Sequence, residues 1–221
     1  MQGVIMMTFT DSSIFFDLDG TLADFEGGVA ALINKQMCEE NPHKKIRRLA
    51  AVSDGPVTAA DIKAATVKKD AKKRGEDVVL TAFEKRLMDA VYSVSSKAGS
   101  EFWANLQLLP NAREIVQEAV NIVDIQNVWV CTAPISGAVG CESGKRAWVA
   151  KHFDIPDENV IVTEDKGQVL SNFDNKSRRV LVDDRTKWCD QWHENGGTYI
   201  HYNPESFDGN VASMVMLVAL P

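Results

Sequence analysis

The chain has 221 residues, 45% of them hydrophobic and 25% charged, with a formal charge of −7. This composition describes an ordinary globular chain, either one domain with an insertion or two small domains, and excludes a disordered chain, a collagen-like repeat and a coiled-coil rod. No apolar run nears the ~18 residues of a membrane span, and the acidic balance argues against a non-specific grip on nucleic acid. Met1 to Thr10 has no basic stretch followed by a long apolar core, so no signal peptide is expected there. The four cysteines lack Cys-x-x-Cys spacing, giving neither a disulfide framework nor a zinc pattern. Reduced thiols and a cytoplasmic location are expected.

In chain order, the first buried strand is predicted at Ser13-Ile14-Phe15-Phe16-Asp17. Similar apolar runs follow at Val128 to Cys131, Val160 to Val162 and Arg179 to Val182, with a weaker one at Thr198 to His201. None alternates strictly, as expected for strands covered on both faces. Helical patterns lie between them at Asn111 to Val120, with Asn111 as the expected cap, at Gly144 to Phe153, and at Thr186 to Glu194, which Gly196-Gly197 should stop. Strand and helix in alternation predict an α/β fold, a Rossmann-like parallel sheet with helices on both faces, whose chemistry sits at the carboxyl ends of the strands.

The stretch between the first two strands is different. Helical patterns fit Gly27 to Cys38, Ala59 to Lys73 and Leu80 to Ser96, with no buried strand among them. We therefore expect a sheet domain from residues 1–22 and 107–221, and an inserted helical domain from 23–106. Residues 24–108 carry a balance of +2 and the remainder −9. The basic clusters, His43 to Arg48 and Lys68 to Arg74, read as solvated helix faces or as a field that draws phosphate esters inward. Phe83 and Tyr92 are expected in the helical core. Trp129, Trp148, Trp188 and Trp192 suit packing between helices and sheet.

Four features fall at strand ends. Asp17 and Asp19 leave the first strand two residues apart, on one side. Their repulsion calls for a cation, and oxygen-only donors favour magnesium. Gly20 permits the tight turn that follows. Thr132-Ala133-Pro134 offers a hydroxyl and backbone N–H groups suited to phosphate oxygens. Lys145 and Lys166 supply ammonium groups. Asp183-Asp184 ends a buried strand in two acids, which is costly without compensation.

Together these residues resemble the haloacid dehalogenase superfamily of phosphatases. Asp17-x-Asp19-Gly20-Thr21 matches its first motif, Thr132 its second, Lys166 its third and Asp183-Asp184 its fourth. The helical insertion lies where that superfamily carries a C1-type cap. Phe16 to Gly28 (FDLDGTLADFEGG), VCTAPI, KRAWVAKHF, TEDK and LVDDR look like the 5′(3′)-deoxyribonucleotidases. Three departures stand out: Ala133 where that family often has serine, Glu164 where it has arginine, and a longer segment from Lys166 to Asp183.

The resemblance implies a magnesium-dependent hydrolase of nucleoside 5′-monophosphates, with deoxyribonucleotides expected. Asp17 would be the nucleophile, Asp19 the general acid and base, and Thr132 and Lys166 the phosphate ligands. Mg2+ would be held by Asp17, the Asp19 carbonyl and Asp183, with Asp184 orienting waters or Lys166. Phe25, Trp103, Ala133, Ile135 and Lys145 would line the substrate. Three other readings stay open: a phosphatase of another small ester such as a sugar phosphate, a nucleic-acid 3′-end phosphatase, and a non-catalytic binding protein of the same fold. The expected partner is a small phosphate ester. A membrane and stably bound nucleic acid are not expected, and a homodimer is left open.

Overall fold

The computed structural model describes residues 11–173 and 178–219. Met1 to Thr10, read above as carrying no signal peptide, lies outside them. Among the described residues no helix is long and apolar enough to cross a membrane, and no disulfide forms. By its contacts the chain divides into two units, one of residues 1–23, 108–134 and 145–221, the other of 24–107 and 135–144.

The first unit is built on five parallel strands: β1 (Ser12–Phe16), β2 (Val128–Thr132), β3 (Val160–Val162), β4 (Arg178–Asp183) and β5 (Thr198–His201), in the order β3-β2-β1-β4-β5. The register pairs Phe16 with Val130 and Val182, so β1, β2 and β4 end side by side. One face carries Phe15, Cys131 and Leu181 against Trp188 and Trp192. The indole N–H of Trp192 donates to the Arg179 carbonyl at 3.1 Å, so its polar edge is satisfied where the ring is buried.

Helices α6 (Ala112–Val123) and α9 (Phe207–Ala219) pack on one another and on the strands, while α8 (Thr186–Glu194) covers the tryptophan-rich face. α9 takes up the apolar run that begins at Val211, as far as Ala219. Asn111 precedes α6 as expected, but makes no side-chain cap. Its φ of 61° puts it in the left-handed region rather than in the extended backbone typical of a capping residue.

The second unit holds α1 (Phe25–Met37), α2 (Lys44–Ala50), α3 (Ala59–Lys73), α4 (Ala82–Ser95) and α5 (Ser100–Ala104). Thr58 with Asp61, and Thr81 with Glu84, form capping boxes that start α3 and α4. The side chain of Asp24 accepts from Gly27 N at 2.8 Å and starts α1. Val29, Ile33, Ile46, Leu49, Ile62, Leu87 and Val91 meet in its core. α2 was hidden in the sequence by its charge, because only Ile46 and Leu49, one turn apart, face inward.

The segment 135–144, kept with the sheet domain by the sequence reading, belongs to the helical unit. Its glycines explain why. A Cβ on Gly140 would meet Ser100 N at 2.9 Å, and one on Gly144 would meet Trp103 Cβ at 2.6 Å. Only glycine permits that approach. Phe83 is partly buried against the core, but Tyr92 is 44% exposed, contrary to expectation. Lys69 lies 4.2 Å from its ring centroid, and the ring borders an open hollow of about 400 Å³ with His43, Lys45, Ser93, Ser96, Lys97 and Ser136.

Candidate active site

β1 ends at Phe16, and Asp17 follows with its N–H donated to the Val182 carbonyl at 2.9 Å. The chain then turns through Gly20, where φ is +83° and a Cβ would meet Asp184 Oδ2 at 2.7 Å. Gly20 therefore serves both as a left-handed turn and as space for a carboxylate. The Thr21 hydroxyl accepts from Asp184 N at 3.2 Å, fastening the loop after β4 to the loop after β1.

Two buried lysines organise the acids. Lys166 Nζ lies 2.7 Å from Asp17 Oδ1 and 2.7 Å from Asp183 Oδ2. Lys145 Nζ lies 2.8 Å from Asp19 Oδ2, 2.9 Å from Thr132 Oγ1 and 2.6 Å from the Ala133 carbonyl. Both lysine side chains are 0% exposed. Burial disfavours the Lys166 ammonium, but Asp17 and Asp183 more than offset that, so its pKa is raised. Burial also pushes the Asp183 carboxyl up, against the opposing pull of Lys166. It raises Asp19 as well, with Lys145 opposing and Asp17 adding to the rise. The Cys131 thiol, buried beside this network, is pushed up to about 12 and stays a protonated packing group.

Asp17, Asp183 and Asp184 each bring a carboxylate oxygen within 4.8 Å of the others'. This all-oxygen donor set, with room kept for Asp184 by Gly20, fits a hard divalent cation. The Asp19 side chain is committed elsewhere, to Lys145.

The sequence-selected residues are thus distributed between the two units. Asp17, Asp19, Thr132, Ala133, Lys145, Lys166, Asp183 and Asp184 gather at the carboxyl ends of β1, β2 and β4. Lys145 does not open its helix, as the sequence suggested, but sits one turn inside α7 (Cys141–His152). Phe25, Trp103 and Ile135 belong to the helical unit. Trp103 is 0% exposed, stacked on Phe25 at 5.6 Å and met edge-on by Phe102 at 5.1 Å. It has no exposed face, while Phe25 and Ile135 are half-buried.

Gln191 was not singled out from the sequence. From α8 its Oε1 accepts from Lys166 N at 3.0 Å and holds the lysine's backbone in place. Thr163 and Asp165 shape the same turn, accepting from Asp165 N at 3.1 Å and Gln168 N at 3.0 Å. His201, at the end of β5, places its Nε2 3.0 Å from the Asp184 carbonyl. No motif marks Gln191 or His201, since each acts across the fold on a backbone group. Glu164 lies exposed on the turn that carries Lys166.

No family model matches the chain. It is 29% identical over 174 residues to the mitochondrial 5′(3′)-deoxyribonucleotidase of Mus musculus, an alignment covering 78% of this chain and 64% of that one. To the cytosolic-type 5′(3′)-deoxyribonucleotidase of Homo sapiens it is 28% identical over 176 residues, covering 78% and 70%. The chain thus spans less than two thirds of the mitochondrial relative's length. Among solved structures, a haloacid dehalogenase-superfamily hydrolase of Ehrlichia chaffeensis matches with a TM-score of 0.50 and 14% identity, over 96% of this chain and 99% of that one. With its acids and lysines at the ends of β1, β2 and β4, the chain has the fold of the haloacid dehalogenase superfamily and is close in sequence to the 5′(3′)-deoxyribonucleotidases.

Proposed function

We propose that the chain is a magnesium-dependent phosphatase that hydrolyses nucleoside 5′-monophosphates, deoxyribonucleotides among them, through an aspartyl-phosphate on Asp17. One observation carries the reading: two acids two residues apart, each held by its own buried lysine. Lys166 donates to Asp17 Oδ1 at 2.7 Å and fixes its orientation, as an attacking carboxylate needs. Lys145 takes one oxygen of Asp19, whose other oxygen is buried without a hydrogen-bond partner among the described residues.

In this mechanism a carboxylate oxygen of Asp17 attacks phosphorus while the bond to the ester oxygen breaks, and Asp19 gives its proton to the departing alkoxide. Asp19 then takes a proton from water. The resulting hydroxide attacks phosphorus and releases inorganic phosphate and the Asp17 carboxylate. Thr132 and Lys166 orient phosphate oxygens and offset their charge. Asp17, Asp183 and Asp184 would hold Mg2+, with the Asp19 carbonyl added by resemblance. The cation supplies charge neutralisation for the phosphoryl group. The helical unit serves as the cap, and Phe25 and Ile135 are its half-buried candidates for the nucleoside.

Exposed Glu164, in the place of an arginine, favours a second reading as a phosphatase of a small neutral-bodied ester such as a sugar phosphate. Phosphate release from a panel of ribo- and deoxyribonucleoside monophosphates and sugar phosphates, with magnesium and with excess chelator, decides between them. The nucleotide reading expects the highest kcat/KM on a nucleoside monophosphate and loss of turnover in chelator. A sugar phosphate turned over best, or full activity in chelator, counts against it.

A further inference from the structure

We propose that Lys145 is a positioning residue for the proton of Asp19 rather than a ligand of the substrate. The inference rests on the reading of Asp19 as general acid and goes beyond it. An ammonium has three N–H donors. Three acceptors lie within reach here: Asp19 Oδ2, the Thr132 hydroxyl and the Ala133 carbonyl, at 2.8, 2.9 and 2.6 Å. The group is buried, and the contacts join residues 19, 132–133 and 145, from three separate stretches of chain.

The consequence falls on the two oxygens of one carboxyl group. Oδ2 accepts from a cation, so a proton there would oppose the Lys145 N–H. Oδ1 is buried and has no hydrogen-bond partner among the described residues. Lys145 therefore directs the proton to Oδ1, the oxygen left to meet a leaving group. Because the ammonium is anchored to the end of β2 at Thr132 and Ala133, it also fixes the Asp19 side chain relative to the strand that carries a phosphate ligand. Without Lys145 the proton can reside on either oxygen and the carboxyl group can rotate. The acid is then present but poorly aimed.

The experiment compares two small esters by kcat/KM, which reports steps up to leaving-group release. One is 4-nitrophenyl phosphate, whose leaving group departs without a proton. The other is an alkyl phosphate, whose leaving group requires one. Lys145→Met is expected to lower kcat/KM for the alkyl ester by about 100-fold, within the span of general-acid contributions, and for the nitrophenyl ester by less than about 5-fold. Asp19→Asn should show the same discrimination. Lys145→Met/Asp19→Asn should be no worse than Asp19→Asn alone, because a residue that works through Asp19 has nothing left to do once the acid is gone. Equal losses on both esters, or a double variant carrying both single losses multiplied together, overturns the inference. If Asp19→Asn itself fails to discriminate, the general-acid reading of Asp19 is what fails. Lys145→Gln, which keeps an N–H donor, repeats the test should the methionine variant not fold, and is expected to retain more alkyl-ester activity than methionine does.

Discussion

Of the charged side chains buried among the described residues, Asp17, Asp183, Lys145, Lys166 and Arg179 belong to the sheet unit and Asp70 to the helical unit. The helical unit fills its interior with Val29, Ile33, Ile46, Leu87 and their neighbours, and uses its polar groups mainly to start helices and tie loops. Asn34, for example, exchanges two 2.8 Å hydrogen bonds with the backbone of Val57. The sheet unit does the reverse at one end, excluding water from acids that would be more stable exposed. Such a cluster is costly without compensation, and the lysines that offset it come from elements far apart in sequence. The difference teaches that one unit is organised around an apolar interior and the other, at its strand ends, around buried charge.

The largest test of that contrast is Asp17→Asn. An amide of nearly the same shape is a poor nucleophile, so turnover should vanish while circular dichroism stays that of the wild type. Sustained phosphate release from a contaminant-free sample would end the assignment of Asp17.

Next is Lys166→Met, which leaves Asp17 and Asp183 facing each other without their shared cation. Breaking a buried ion pair by removing one partner costs about 3–5 kcal/mol. We expect a marked fall in Tm in chelator, and a smaller one with magnesium if a divalent cation takes over the compensation. An unchanged Tm in chelator would mean that the acids are hydrated in solution.

Trp103→Ala and Phe25→Ala separate packing from recognition within the helical unit. Loss of the fully buried indole should cost about 3–5 kcal/mol of stability, seen as a lower denaturation midpoint, with turnover of nucleotide and small ester affected alike. Phe25 is half-buried, and its loss should mainly lower the ratio of nucleotide to small-ester kcat/KM, by about 5- to 150-fold for the loss of one stacking contact. A wild-type ratio in a folded Phe25→Ala protein would make this ring core as well.

The acids were legible because they lie beyond apolar runs, and a strand that ends in carboxylates has few structural uses; Lys166, three polar residues past the run Val160 to Val162, was legible through its place in the motif order. Lys145 was legible only as a lysine in the right neighbourhood. Its task depends on meeting a residue 126 positions away, which no local pattern encodes. Trp103 was ambiguous because buried and ligand-facing aromatics have the same helical spacing, and only the stacking with Phe25 reveals how enclosed it is. The left-handed turn at Asn111 and the exposed ring of Tyr92 escaped for a related reason. A cap residue's type does not give its φ, and a tyrosine at the margin of an apolar face can keep its hydroxyl end in water.

The segments that lead into and out of the helical insertion run antiparallel. Ala23 bridges Leu108, Asp24 N donates to the Gln107 carbonyl at 2.8 Å, and Leu109 N donates to the Leu22 carbonyl at 2.9 Å. The insertion therefore leaves and rejoins the sheet unit at neighbouring points, as a cassette would. Loop-closure entropy grows only slowly with length, about 0.6 kcal/mol per doubling, so closure cost alone does not set the size of the insert at this junction. A chain in which 24–107 is replaced by a short glycine-containing turn should keep the strand signature in circular dichroism and a cooperative melt. Loss of both would show that the sheet depends on its guest. If they persist, the sheet unit is a self-sufficient host, able to carry different cassettes between Ala23 and Leu108.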